Sequence, residues 1–507
     1  MLERQYFEHP RCHILRRNHG NTGPVAGPPS SVPQTGEAVS EQGTGFMSDE
    51  KKAIPKRSVS ALMLLGIMYT YTTSGAYAIE ETVLGGGPLL TLVAVTLIPI
   101  LMAVPTAAVV AELAASVPSN AAYLMWINIS FHRVVYFTMV ILSLLLMFID
   151  NALYPVLFSD YVCAAVTCTT VTNRALRAGM LFLTYVLNIL GIQAVGMTSI
   201  MLTVITIIPF LVMFTMFLAN NAFYLNWPAI SYVPSTIDWP TFITTASWNL
   251  CGLEQAASVS EEVKAPDRTI VRALFPLLGL AFLTYIPPIL TGASVKKGPP
   301  LLSEWTTGYW SVVAEKIGGS PLQVFLVIGS GFSAFGLMLS SLCTTTQTIA
   351  GVAFTEVFPG PVNRILYRRN ERFGTYHWTT TINALITGLF SVFFDFGPLV
   401  KTDQVLYGIR VVLIFLSFFI IRYRYPHLSR PFRLPLEGYK LGVLLIPTLL
   451  FVALTVVATM EDVQTVIINI SVVAGTILLS FIYCYLIRKG EFYGRVVTEA
   501  VDEREDD

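Results

Sequence analysis

The chain has 507 residues, 54% hydrophobic and 13% charged, about half the charged share usual for a soluble domain. Formal net charge is zero, from 32 basic and 32 acidic residues, so the basic surplus that a nucleic-acid partner demands is missing. Six cysteines at no metal-ligand spacing exclude a zinc framework, and no His-Glu metal motif, nucleotide loop or nucleophile elbow points to an enzyme. What remains is an integral membrane protein with no catalytic residue, metal or cofactor in prospect.

Residues 1–58 are rich in Gly, Pro, Ser and charge without an apolar run, and are expected to form a disordered cytosolic tail with no cleaved signal peptide. A transmembrane domain follows over 59–489, and 490–507 form a second cytosolic tail. Apolar stretches near the spanning length of about 20 residues predict twelve spans, at about 59–84, 88–111, 134–158, 177–197, 198–219, 241–259, 269–292, 321–350, 377–395, 403–421, 441–459 and 464–487. With both termini inside, 19 Lys and Arg collect at cytosolic span ends and 6, among them Arg174, Arg177 and Lys401, in outer loops. This asymmetry supports the orientation. Cys163 and Cys168 share an outer loop, where they could pair.

Two spans are expected to be broken. Thr72–Glu81 places small residues, Gly75 and two carboxylates inside the first span, ahead of a turn at Gly85-Gly86-Gly87-Pro88. Trp248–Glu254 repeats the pattern in the sixth. Backbone unwinds at bilayer depth only where protein or water satisfies its N–H and C=O groups. Paired breaks half a domain apart predict an inverted repeat with a binding site between them.

Intramembrane carboxylates are expensive and therefore mark function. Glu80, Asp150 and Glu254, with Ser74, Gly75, Tyr77, Tyr154, Trp248 and Asn249, form the candidate substrate site. Structural alternatives stand beside this reading. Asp150 could cap backbone freed by Pro155, one of Glu80 and Glu81 could be exposed near the outer boundary, and Glu254 could bond unwound backbone. Acidic side chains near a half-helix start compete with a cargo carboxylate for the same donors, so a cationic small molecule is the expected cargo, held against aromatic faces such as Tyr77, Tyr154 and Trp248.

Ile149-Asp150-Asn151-Ala152-Leu153-Tyr154-Pro155-Val156-Leu157-Phe158-Ser159-Asp160-Tyr161 resembles a signature of the eukaryotic polyamine-uptake branch of the amino acid–polyamine–organocation superfamily. Supporting matches include Trp248-Asn249-Leu250, Glu262-Val263-Lys264-Ala265-Pro266 and Arg430-Pro431-Phe432-Arg433-Leu434-Pro435. The resemblance implies an all-α membrane protein of about twelve helices in a LeuT-like five-plus-five inverted repeat, discontinuous in helices one and six. It also implies plasma-membrane uptake of putrescine-like diamines or polyamines driven by protons, with amino acids as the alternative cargo and a non-transporting sensor as a more distant one. Glu254 is the first candidate to carry the coupling proton and Glu80 the second. The chain departs from the plant pattern at Ser341, Thr345 and Ile414, where carboxylates are expected, and adds Arg410 near the start of span ten.

Overall fold

The computed structural model describes residues 57–165, 168–221, 224–296, 298–394, 396–488 and 492. Both predicted tails lie outside the described residues, apart from Arg57, Ser58 and Phe492. Helices dominate, as they must where lipid offers the backbone no hydrogen bonds. In chain order they are α1 (Ala61–Thr72), α2 (Glu80–Ile98), α3 (Val104–Ser116), α4 (Tyr123–Ser130), α5 (Arg133–Ala165), α6 (Thr170–Ile189) and α7 (Ile192–Asn220). The second half comprises α8 (Trp239–Trp248), α9 (Pro266–Ser294), α10 (Tyr309–Phe354), α11 (His377–Phe393), α12 (Phe396–Arg424), α13 (Tyr439–Thr459) and α14 (Val463–Ile482).

Every predicted span has a helical counterpart. Eight stretches among the described residues are long and apolar enough to cross a bilayer unaided. The shorter or more polar α1, α6, α8 and α11 complete the set. Gly87, at φ 80°, divides α2, so residues 80–86 finish the first span and the helix after Pro88 begins the second.

Three boundaries differ from expectation. The fourth and fifth spans part at Gly191, not near residue 197, because apolar sequence runs unbroken through the junction and only the glycine backbone, at φ 114°, turns it. A Cβ there would sit 3.1 Å from the Phe373 carbonyl oxygen. α5 passes through Pro155 and continues to Ala165, past the predicted end at 158. Arg177, expected in an outer loop, is buried within α6, donating to Ser159 Oγ at 2.9 Å and to the Ser391 carbonyl at 2.6 Å. The described Cys163 and Cys168 are disulfide-bonded.

α10 packs against α7 and α5, α1 against α7, α2 against α8, and α12 against α5. Ile67, Val195, Leu202, Leu339 and Cys343 form a buried cluster joining α1, α7 and α10. α13 and α14 keep Leu450, Val457, Ile467 and Leu478 exposed, as suits a lipid-facing periphery. At the end of the bundle rich in Lys and Arg, Ser58 and Val59 donate their amides to the Glu262 carbonyl at 2.8 and 3.0 Å, and Lys264 donates back to Val59. This tie joins the entry to α1 with the exit from the second break.

Candidate functional site

The first break is the non-helical segment between α1 and α2, where Ser74 and Ala78 take positive φ alongside Gly75. Such backbone persists only where its surroundings over-determine it. Ser74 Oγ donates to the Ser333 carbonyl at 2.9 Å, and Ser333 Oγ donates to the Ser74 carbonyl. Trp310 Nε1 donates to the Ala76 carbonyl at 2.8 Å, while the Ala78 amide donates to Tyr161 Oη at 2.9 Å. The freed groups are thus bonded by protein, as membrane depth requires.

The second break follows Trp248, and a 3-10 turn resumes at Leu253. Tyr285 Oη donates to the Asn249 carbonyl at 2.9 Å, occupying an acceptor that the helix end left open. Gly252 has φ 95°, and a Cβ on it would lie 2.6 Å from the Tyr71 ring, so the position admits glycine alone without movement. The two breaks meet here: Tyr71 from α1 lies against Gly252, and Asn249 Nδ2 donates to the Ala78 carbonyl at 3.4 Å.

Beside this junction lies a narrow cavity lined by residues from both sides of the breaks. Five of the nine candidate residues line it: Tyr77, Asp150, Tyr154, Trp248 and Asn249. Asp150 accepts from Tyr154 Oη at 2.8 Å and, more weakly, from Tyr71 Oη and Ser341 Oγ at 3.4 Å. Its partners are hydroxyls, so it does not cap backbone freed by Pro155. The Tyr154 and Trp248 rings lie 6.4 Å apart and supply the aromatic wall.

The other four candidates stand elsewhere. Ser74 and Gly75 build the break without reaching the cavity. Glu80, fully buried, accepts from Tyr161 Oη at 2.8 Å, and its second oxygen has no hydrogen-bond partner among the described residues; Glu81 is the partly exposed member of that pair. Glu254 lies behind the cavity lining, in a buried ion pair with Arg410 at 2.7 Å.

Two charged residues of α12 join the lining without having been among the candidates. Asp403 is buried, accepts from Gln404 Nε2 at 3.0 Å, and leaves Oδ1 without a hydrogen-bond partner among the described residues. Arg410 faces the same cavity. Asp403, Tyr407 and Arg410 recur at i, i+4 and i+7, one helix face. That spacing was the available signal.

The amino acid permease family model matches residues 58–484. Among curated proteins, the chain is 28% identical over 382 residues to polyamine transporter RMV1 of Arabidopsis thaliana, covering 75% of this chain and 76% of that one. It is likewise 28% identical over 427 residues to polyamine transporter PUT1 of Oryza sativa subsp. japonica, covering 83% and 78%. Among solved structures, the Eremococcus coleocola manganese transporter superposes with a TM-score of 0.53 at 12% identity, covering 83% of this chain and 92% of that chain; this likeness concerns the fold alone. A match over nearly the whole described helical domain, joined to paired broken helices around a cavity, makes this multi-pass membrane chain a secondary transporter of the amino acid permease family.

Proposed function

We propose that the protein takes up small polyamines, foremost putrescine-like diamines, by proton symport across the plasma membrane, with both termini in the cytosol. One observation carries the cargo assignment: the cavity between the breaks is lined by two carboxylates, Asp150 and Asp403, whereas the one guanidinium lining it is already paired with Glu254. Ammonium groups of a diamine supply the missing positive charge, and the rings of Tyr154 and Trp248 receive its methylene chain. The names of the plant relatives point the same way.

The acids that bind cargo on this reading are Asp150 and Asp403. Glu254, with its charge met by Arg410, moves from direct ligand to partner of that residue. For coupling, Glu80 takes precedence over Glu254, because among the described residues no cation lies within ion-pair distance of it and its second oxygen has no hydrogen-bond partner. Proton loading there changes the net charge beside the first break.

Uptake of labelled putrescine, spermidine, arginine and leucine into proteoliposomes, with and without an inward proton gradient, tests the whole reading. Gradient-stimulated putrescine uptake, competed by spermidine more strongly than by arginine, is expected. Leucine or arginine uptake in the absence of amine uptake would overturn the cargo assignment, and sodium dependence would overturn the coupling.

A further inference from the structure

Arg410 lines the cavity, yet its charge is spent on a neighbour. Its guanidinium stands 2.7 Å from Glu254, both side chains are buried, and Nη1 donates to Tyr123 Oη at 3.3 Å. The Tyr123 and Tyr407 rings flank it with centroids at 5.1 and 5.0 Å, the stacking that suits a planar guanidinium. On α12 the seven-residue step from Asp403 to Arg410 corresponds to about 10 Å along the helix axis. One helix face therefore offers the cavity an acid and, two turns on, a base.

We propose that Arg410 is a specificity-determining residue, a tethered cation that occupies the third acid of the site and thereby fixes the number of positive charges the cargo must bring. The inference rests on the polyamine reading above. In their ionised forms the lining carboxylates Asp150 and Asp403, with Glu254 behind them, set three negative charges against one guanidinium, so two remain for the cargo to match. Buried charge is tolerated where it is paired, and a surplus of either sign discriminates against the wrong partner. A dication completes the balance. A trication brings a charge with no counter-ion, a monocation leaves one acid bare, and the carboxylate of an amino acid meets two acids.

The test compares initial uptake of putrescine, spermidine and butylamine by the parent protein, Arg410→Met, Glu254→Gln and the double variant in proteoliposomes at matched protein content. Methionine retains an unbranched apolar stem in place of the arginine methylenes. Arg410→Met frees Glu254, and the spermidine-to-putrescine ratio of kcat/KM rises about 10-fold or more, the effect of one additional charge-assisted bond. Glu254→Gln leaves the guanidinium unmatched and shifts preference from putrescine toward butylamine. Restoring the count of two unmatched acids in the double variant returns the spermidine-to-putrescine ratio to within about 2-fold of the parent, whatever its absolute rate. An unchanged ratio in Arg410→Met overturns the proposal. Should that variant fail to fold, Glu254→Gln against the double variant decides alone: the double must regain putrescine over butylamine, and failure to do so overturns it. A parent that transports no amine refutes the cargo reading itself, and the proposal falls with it.

Discussion

Asp403→Asn exchanges one carboxylate oxygen for an amide nitrogen and leaves the side-chain shape unchanged. Asp403 is 3% exposed, its Oδ2 is held by Gln404 Nε2 at 3.0 Å, and Oδ1 has no hydrogen-bond partner among the described residues. The substitution therefore removes charge without opening a void. If a cargo ammonium docks on Oδ1, the loss is one desolvated charge-assisted bond, worth roughly 1.5–3 kcal/mol. At about 1.4 kcal/mol per tenfold, putrescine KM rises about 10- to 150-fold. Asp150→Asn should cost a similar amount, since Tyr154 would still reach the remaining side-chain oxygen while the charge is gone. The assay is the concentration dependence of initial putrescine uptake in proteoliposomes, with reconstituted protein quantified for each variant. An Asp403→Asn KM within about 2-fold of the parent, while Asp150→Asn is impaired, would refute two-point binding and leave Asp403 a bystander.

Gly252→Ala forces a Cβ into the Tyr71 ring at φ 95° and should lower stability by about 1–3 kcal/mol, read as a lower unfolding midpoint in detergent; an unchanged midpoint contradicts the close approach of the two breaks. Glu112 pairs with Arg422 at 3.2 Å and accepts from the Leu434 amide at 2.7 Å, all buried, so Glu112→Gln should cost about 3–5 kcal/mol by stranding a guanidinium, and a variant as stable as the parent would show the pair to be dispensable. Glu80→Gln should abolish accumulation driven by a pH gradient while retaining exchange of labelled for unlabelled cargo, and retained gradient-driven accumulation would remove Glu80 as obligatory carrier.

Where sequence reading succeeded, a local signal carried the information. Gly252 and Gly75 were legible because a helix breaker inside an apolar span has few uses, and the depth of Asp150 followed from the apolar residues on both sides of it. Asp403 was missed because it opens a predicted span, the place where a carboxylate looks like a solvated boundary residue; α12 in fact begins at Phe396 and carries it a further two turns inward. Arg410 was seen, but only as a departure from a family pattern. Its pairing with Glu254 spans more than 150 residues of sequence, and no helical period or local motif reports a contact of that range. Arg177 was misplaced for a related reason. Buried bonds to Ser159 and Ser391 come from two other helices, and charge counting near span ends treats every such arginine as solvated.

The distribution of the site's charges also bears on how it works. Asp150 and Asp403 belong to α5 and α12, continuous helices that pack directly on each other, whereas Trp248, Asn249 and Tyr71 belong to the broken spans. Carboxylates fixed to a mutually packed pair keep their separation when other elements move, while the amide and aromatic groups at the edges of the breaks belong to elements outside that pair. Glu254 follows the second break and Arg410 sits on α12, so their ion pair crosses between these two sets. Relative motion that separated them would strand buried charge at a cost of about 3–5 kcal/mol. Motion that carries the pair along leaves that energy untouched but must then drag the turn at Gly252 against Tyr71, where a single Cβ would not fit. Either way the contact between α12 and the second break resists relative displacement of the two sets, through the buried ion pair in one case and through the close approach of Gly252 to Tyr71 in the other.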